Sequence, residues 1–267
     1  MITIVMPFYK KLTEFIFAFD QYNFNEFNRY QNLELILSID DPFETDELID
    51  YLDNKTKSCS PNFAIIAFLN ENSHAWRCPS SAINVGIKHA RYPKILVMSP
   101  ETVALPHSIE QISAHCDKNS FSFGIIKHIS KKELEMRADN LTESYQNVLS
   151  PLLPHGSICF YKSQAELIGG YDESFIEWGG DDDDFRERLI KAGFRKKPTF
   201  AKFMHIVFKD RELNTAKEKR QLLLRKSVSK KIKQIAEREG FIANQGNYGN
   251  SYDKIVFEFS LSIGCVC

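Results

Sequence analysis

A chain of 267 residues with 43% hydrophobic and 26% charged side chains has ordinary globular proportions and is long enough to bury a full core as one α/β domain with an accessory tail. Its net charge of -1 argues against nucleic acid as a principal partner. The scattered cysteines Cys59, Cys78, Cys116, Cys159, Cys265 and Cys267 include no Cys-x-x-Cys pair, so neither a disulfide framework nor a structural zinc site is expected. No stretch approaches the roughly 20 apolar residues of a membrane span. Residues 1–7 are too short an apolar run for a secretory leader. A cytoplasmic location is the expectation, with any membrane contact peripheral.

The apolar run Ile2-Thr3-Ile4-Val5-Met6-Pro7-Phe8-Tyr9 predicts a buried parallel strand, and residues 12–27 an aromatic-rich helix. Residues 33–39 predict a second strand ending at Asp40-Asp41-Pro42, residues 45–52 a helix, and residues 63–69 a third strand. After a polar loop, residues 81–89 predict a helix and residues 93–98 a fourth strand closed by Ser99-Pro100-Glu101. This alternation predicts a mainly parallel sheet with helices on both faces. Ligands bind such sheets beyond the C-terminal strand ends. Asp40, Asp41, residues 77–84 and residues 99–101 converge there. Taken singly, each reads as a turn residue bonded to its own backbone, and it is their convergence that points to a site. Further on, residues 124–126 predict a strand, residues 131–145 are polar, and residues 155–160 predict a strand that leads to Gly169-Gly170.

The most informative stretch sets Trp178-Gly179-Gly180 directly ahead of Asp181, Asp182, Asp183 and Asp184. Phe185, Leu189 and Ala192 recur at helical spacing and Gly193 supplies a stop, so the acidic run is expected in the first turn of a helix, where the dipole favours negative charge. Asp181 and Asp182 lie four and three residues before Phe185, which turns them toward the buried face and any cavity the helix borders. A carboxylate aimed into a cleft is a candidate base. Acidic residues at a helix start are by themselves ordinary capping. The glycine pair costs backbone entropy that a cap does not require, and points to close approach of a ligand.

These residues carry a resemblance. Gly169-Gly170-Tyr171-Asp172-Glu173-Ser174-Phe175, followed by Trp178-Gly179-Gly180-Asp181-Asp182-Asp183, resembles the C-terminal motif of the β-1,4-galactosyltransferases and the related bacterial chondroitin-synthase-type domains. That motif usually reads Trp-Gly-Gly-Glu-Asp-Asp, so Asp181 departs by one methylene. The match implies Asp182 as catalytic base, Asp181 and Asp183 holding acceptor hydroxyls, Trp178 lying against the sugars, and Gly179 and Gly180 within the substrate site. Earlier, residues 4–9, residues 35–41 and Asn84-Val85-Gly86-Ile87-Lys88 are similar to the nucleotide-sugar half of family-2 type, GT-A fold glycosyltransferases.

The combined resemblance implies a GT-A (Rossmann-like) domain over residues 1–210, with a nucleotide-sugar-binding half at 1–105 and an acceptor and catalytic half at 106–210. Residues 211–267 would form a basic amphipathic helical tail. It also implies Pro7, Tyr9, Asp40, Asp41, Arg77, Asn84, Lys88 and Ser99 around the donor. Such enzymes place Asp-x-Asp after the fourth strand to hold Mn²⁺ or Mg²⁺, and here Ser99-Pro100-Glu101 keeps one carboxylate. Diphosphate and water can fill most of a six-coordinate shell, so Glu101 is compatible with a cation, as is weak or absent metal dependence. His205 stands where galactosyltransferases place a metal-closing histidine, although a lone histidine after an apolar residue also reads as a core group.

Residues 217–239 carry nine Lys or Arg against three acidic residues, with Leu224, Val228, Ile232 and Ile235 on one helical face. This predicts an amphipathic helix packed on the domain, with docking on anionic lipid as the alternative. The whole reads as an inverting glycosyltransferase that moves a hexose or N-acetylhexosamine from a nucleotide diphosphate sugar to a sugar hydroxyl of a glycan or lipid-linked glycan. UDP-galactose or its N-acetylated relative is the donor suggested by resemblance. The competing class is a catalytically inactive glycan-binding or scaffold protein of the same descent, against which the retained run of repelling carboxylates argues. A metal hydrolase centred on Asp181 to Asp184 lacks the expected His-rich ligand set.

Overall fold

The computed structural model describes residues 1–71, 78–136, 157–175, 179–207, 240–250 and 254–261. The first half runs β1 (Ile2–Phe8), α1 (Leu12–Ala18), a π-helical turn (Phe19–Asn23), α2 (Phe24–Phe27), β2 (Leu33–Ile39), α3 (Thr45–Cys59), β3 (Ala64–Leu69), α4 (Ser80–His89) and β4 (Lys94–Val97). The second half runs β5 (Thr102–Ala104), α5 (Ser108–His115), β6 (Ser120–Ser130), α6 (Lys131–Met136), β7 (Ile158–Tyr161), α7 (Lys162–Ile168), α8 (Asp181–Lys191), β8 (Arg195–Val207) and β9 (Lys254–Phe259). Among the described residues the strands form one sheet in the order β5-β8-β6-β7-β4-β1-β2-β3-β9.

Strands β1, β2 and β3 are apolar on both faces because both faces are covered. Ile4, Met6, Phe8, Leu35 and Leu37 pack with Phe15 of α1, Leu48 and Leu52 of α3 and Ile109 and Ile112 of α5. The alternate residues Val5, Ile36 and Ile66 face the other way, onto Ala82 and Val85 of α4, Ala165 of α7 and Phe185 and Leu189 of α8. Helices therefore lie on both faces, as in the GT-A fold. The sheet is mostly but not wholly parallel: β1–β2, β1–β4, β2–β3 and β6–β8 pair parallel, whereas β4–β7, β6–β7, β5–β8 and β3–β9 pair antiparallel.

Residues 12–27 are helical as expected, but the run widens into a π turn at Phe19–Asn23. The extra residue in the turn shifts the helix phase. Asn23 then donates through Nδ2 to the Thr102 carbonyl at 2.8 Å and accepts from the Ala104 N–H at 2.9 Å, pairing with the edge strand β5 as another strand would. A separate helical tail from residue 211 does not describe the far end of the chain. Residues 254–259 form β9, which pairs with β3 in the register Ile65↔Phe259 to Leu69↔Lys254 and covers an edge that would otherwise be open. The helix expected over residues 217–239 lies outside the described residues. Among the described residues, no helix is long and apolar enough to cross a membrane.

Candidate active site

The ends of β1, β2 and β3 are fastened to one another. The Asp40 N–H donates to the Phe8 carbonyl at 2.8 Å, the Asn70 N–H donates to the Ile39 carbonyl at 2.8 Å, and Asn70 Nδ2 donates to Asp40 Oδ1 at 3.3 Å. Pro7, Phe8, Tyr9 and Asp40 line a small cavity closed on the other side by Cys78, Pro79 and Ala82, the loop and first turn of α4. Burial, and then the charge of Asp181, push the Cys78 thiol up to about 12. This ties the cavity to the acidic helix, because Cys78 lines the one and feels the other.

Helix α8 starts where the acidic run was expected, and Ala192 and Gly193 end it. Gly179 and Gly180 have φ of 97° and 92°, in the left-handed region that a Cβ disfavours, so the chain can turn sharply into the first helical residue. Asp181 is buried, while Asp182 and Asp183 are half-buried. Asp183 pairs with Arg186. Asp184 is wholly buried and pairs with the equally buried Arg188, whose Nε lies 2.7 Å from Oδ2 and whose guanidinium also donates to the Ile168 carbonyl at 2.9 Å. Burial and the neighbouring charge of Asp182 raise the Asp181 carboxyl to about 7. Beneath the run, the Tyr171 ring stacks on Phe185 with centroids 4.0 Å apart and planes 8° apart. Burial, with Asp182 and Asp181 as the charged neighbours, also raises the Tyr171 hydroxyl.

At the end of β4, Glu101 and His205 are brought together from positions a hundred residues apart. Thr102 pairs with His205 across β5 and β8, and His205 Nε2 lies 3.7 Å from Glu101 Oε1. Thr102 Oγ1 is 3.4 Å from His205 Nδ1, so a hydroxyl contacts one ring nitrogen while the other faces the carboxylate. That spacing fits two ligands of one hard cation with diphosphate and water completing the shell. Lys11 competes for the same group, with Nζ 3.4 Å from Glu101 Oε1. Among the described residues, no set of three or more His, Cys, Asp or Glu side chains is arranged for a metal.

The remaining described residues expected around the donor are held by other protein groups. Asn84 is wholly buried, and its amide is engaged with Tyr171 and Glu173, so it fastens the turn before α8 and is not among the residues lining the cavity. Lys88 sits in the last turn of α4, which runs opposite to the strands, about 12 Å along the helix from Ser80. There it binds Asn250 at the far end of the sheet from the cavity. Asp41 is buried, with Oδ1 accepting the Phe43 N–H at 2.9 Å and Lys10 3.5 Å from Oδ2, a turn residue serving its own loop. Ser99 is half-buried at the end of β4, and its carbonyl accepts the Thr102 N–H. Arg77 and Trp178 lie outside the described residues.

Sequence reasoning missed Lys11 and Asn244, and it gave no individual role to Cys78 within residues 77–84 or to Glu173 within the motif of residues 169–175. It also missed His128, which pairs with His205 across β6 and β8 with rings 4.9 Å apart. Lys11, Asn244 and His128 belong to no local motif, and each acquires its place only through contacts made across the sheet or by the end of the chain.

Residues 150–209 match a family described as the N-terminal domain of galactosyltransferase. No curated protein sequence matches the chain significantly. Among solved structures, the chain is similar to GalNAc-T7 crystallised with UDP, GalNAc and Mn²⁺, at 12% identity and TM-score 0.52, over 79% of this chain and 44% of that one. It is also similar to the mannosyltransferase PcManGT from Pyrobaculum calidifontis in complex with GDP-Man and Mn²⁺, at 11% identity and TM-score 0.52, over 80% of this chain and 59% of that one. The chain thus spans about half the length of these two structures. The fold is that of the GT-A glycosyltransferases, and the segment carrying the acidic helix matches the galactosyltransferase family.

Proposed function

We propose that this protein is an inverting glycosyltransferase that moves a hexose or N-acetylhexosamine from a nucleotide diphosphate sugar to a sugar hydroxyl of a glycan or lipid-linked glycan, with UDP-galactose or UDP-N-acetylgalactosamine the first donors to try. The observation that carries the reading is Cys78, which lines the cavity of Pro7, Tyr9 and Asp40 and whose thiol is raised by burial and by the charge of Asp181 at the start of α8. A nucleotide bound at the strand ends would present its sugar toward Asp182. Asp182 then takes the acceptor's hydroxyl proton as that oxygen bonds to the anomeric carbon, and the bond from carbon to diphosphate breaks with its electron pair leaving on the nucleotide. Asp181 and Asp183 would hold and orient acceptor hydroxyls. A Mn²⁺ or Mg²⁺ ion, when bound, would supply positive charge opposite the leaving diphosphate, with Glu101 and His205 as its protein ligands.

The competing reading, an inactive glycan-binding descendant, draws on the reduction of the metal motif to Glu101 and on Lys11 standing beside it. Screening UDP- and GDP-sugars for thermal stabilisation and for hydrolysis separates the two. Asp182→Asn should lower turnover by about 10²- to 10⁴-fold, as general-base loss does, with donor affinity little changed. Near-normal turnover in the folded variant removes Asp182 from its role, and donor binding without turnover in the wild type favours the inactive descendant.

A further inference from the structure

The turn that feeds the acidic helix is held by the far end of the chain. The Tyr171 carbonyl accepts from Asn84 Nδ2 at 2.8 Å and from Asn244 Nδ2 at 2.7 Å, and the Tyr171 N–H donates to Asn84 Oδ1 at 2.7 Å. The Asn244 amide also donates to the Gly169 carbonyl at 2.8 Å and accepts the Glu173 N–H at 3.0 Å. Glu173 Oε1 accepts from Asn84 Nδ2 at 2.9 Å and from the Gly249 N–H at 2.8 Å, and the Ala243 N–H donates to the Ile168 carbonyl at 2.9 Å. One asparagine therefore uses both amide hydrogens and its oxygen to span residues 169–173. It does so at a φ of 52°, in the left-handed region that Asn tolerates better than most residues.

The packing allows little adjustment. A Cβ on Gly170 would lie 2.5 Å from Asn84 Oδ1 and 2.8 Å from the Tyr248 ring, and one on Gly249 would lie 2.6 Å from the Asn84 carbonyl oxygen. Tyr171, gripped by both asparagines, stacks on Phe185, which stands one helical turn beyond Asp181 and Asp182. We propose that residues 240–250 form a positioning clasp centred on Asn244, which fixes the 169–173 turn and, through Tyr171 and Phe185, the orientation of the carboxylates opening α8. The proposal rests on the transferase reading above for what those carboxylates do. Asn244 and Glu173 are positioning residues, since they act through the turn.

A displacement of about 1 Å at a reacting group can cost on the order of 10²-fold in rate, whereas a packing role alone would lower only the melting temperature. The full-length wild type and Asn244→Ala are compared for UDP binding by calorimetry, for kcat and KM of UDP-galactose hydrolysis, and for the Asp181 carboxyl midpoint by NMR of ¹³C-aspartate protein assigned with Asp181→Asn. The clasp predicts a variant folded at the assay temperature with kcat reduced about 10-fold or more, an unchanged KM and UDP affinity, and an Asp181 midpoint moved down toward the ordinary carboxylate range. A variant with lower melting temperature but unchanged kcat and midpoint overturns the clasp and leaves the transferase reading standing. A wild type that neither binds UDP nor hydrolyses UDP-galactose overturns the reading for that donor, and the midpoint then decides the clasp by itself. Should Asn244→Ala not fold, Asn244→Asp is judged by the same criteria, since it keeps the size and the acceptor for Glu173 while losing both donated bonds.

Discussion

Asp181 gives the sharpest test of how the acidic helix is built. It is 6% exposed, and burial together with the adjacent Asp182 charge raises it from the ordinary 3.8 to about 7. Between those values the folded protein keeps a proton that the unfolded chain has lost. Stability is therefore fully present below about pH 4 and is lost progressively as pH rises through about 7. A shift of roughly three units corresponds to about 4 kcal/mol in all, more than half of it lost between pH 5 and pH 8. Asp181→Asn keeps the shape and cannot ionise, so it should stabilise the protein at pH 8 and do so much less at pH 5. Urea unfolding of both proteins at the two pH values reads the difference directly. Parallel changes in stability between pH 5 and pH 8 would refute the reasoning, because Asp181 would then be as well solvated in the fold as out of it.

Glu101→Ala and His205→Ala should each reduce the difference in UDP binding between Mn²⁺ and chelator, measured by calorimetry, and equal binding with and without metal in the wild type would remove the pair from a metal role. Arg188→Met removes a buried ion-pair partner of the Asp184 carboxylate, and should destabilise by about 3–5 kcal/mol in chemical denaturation. If residues 217–239 dock on anionic lipid, sedimentation with phosphatidylserine vesicles should fall steeply as salt rises, because surface attraction is screened within about 8 Å at physiological ionic strength. Protein that ignores such vesicles at low salt would return the basic segment to a packing role.

What the sequence makes legible follows from where each signal is local. Parallel strands covered on both faces appear as unbroken apolar runs, so β1, β2 and β3 can be read within a residue or so, and an acidic first turn followed by Phe185, Leu189 and Gly193 identifies α8. Strand β8 begins Arg195-Lys196-Lys197, half solvated, and has no such run. Strand β9 has one, but its partner β3 is nearly two hundred residues away. The face of a helix on which a buried polar group lies is equally illegible. The Asn84-x-Gly86 pattern marks a helix whose first turn borders the cavity, yet nothing local says that Asn84 is consumed by Tyr171 or that Lys88 falls at the other end of α4. Asn244 is invisible for the same reason, since its three hydrogen bonds are all made more than seventy residues back along the chain.

The carboxylate left by the reduced metal motif has two suitors, and that changes how the metal experiments must be read. A cation held by Glu101 and His205 would have to share or displace the Lys11 ammonium, 3.4 Å from the same oxygen. Two positive charges at such a distance repel by a few kcal/mol even at an effective dielectric of about 20. Binding of a metal would then push Lys11 away from Glu101, leaving its charge available to other anionic groups. Removing Glu101 takes away a ligand and Lys11's partner together, so loss of metal affinity in Glu101→Ala can be offset by a freed lysine. The informative comparison is therefore Lys11→Met: nucleotide affinity that falls in chelator but holds in Mn²⁺ identifies Lys11 as the cation used when metal is absent, whereas affinity unchanged in both removes Lys11 from any such role.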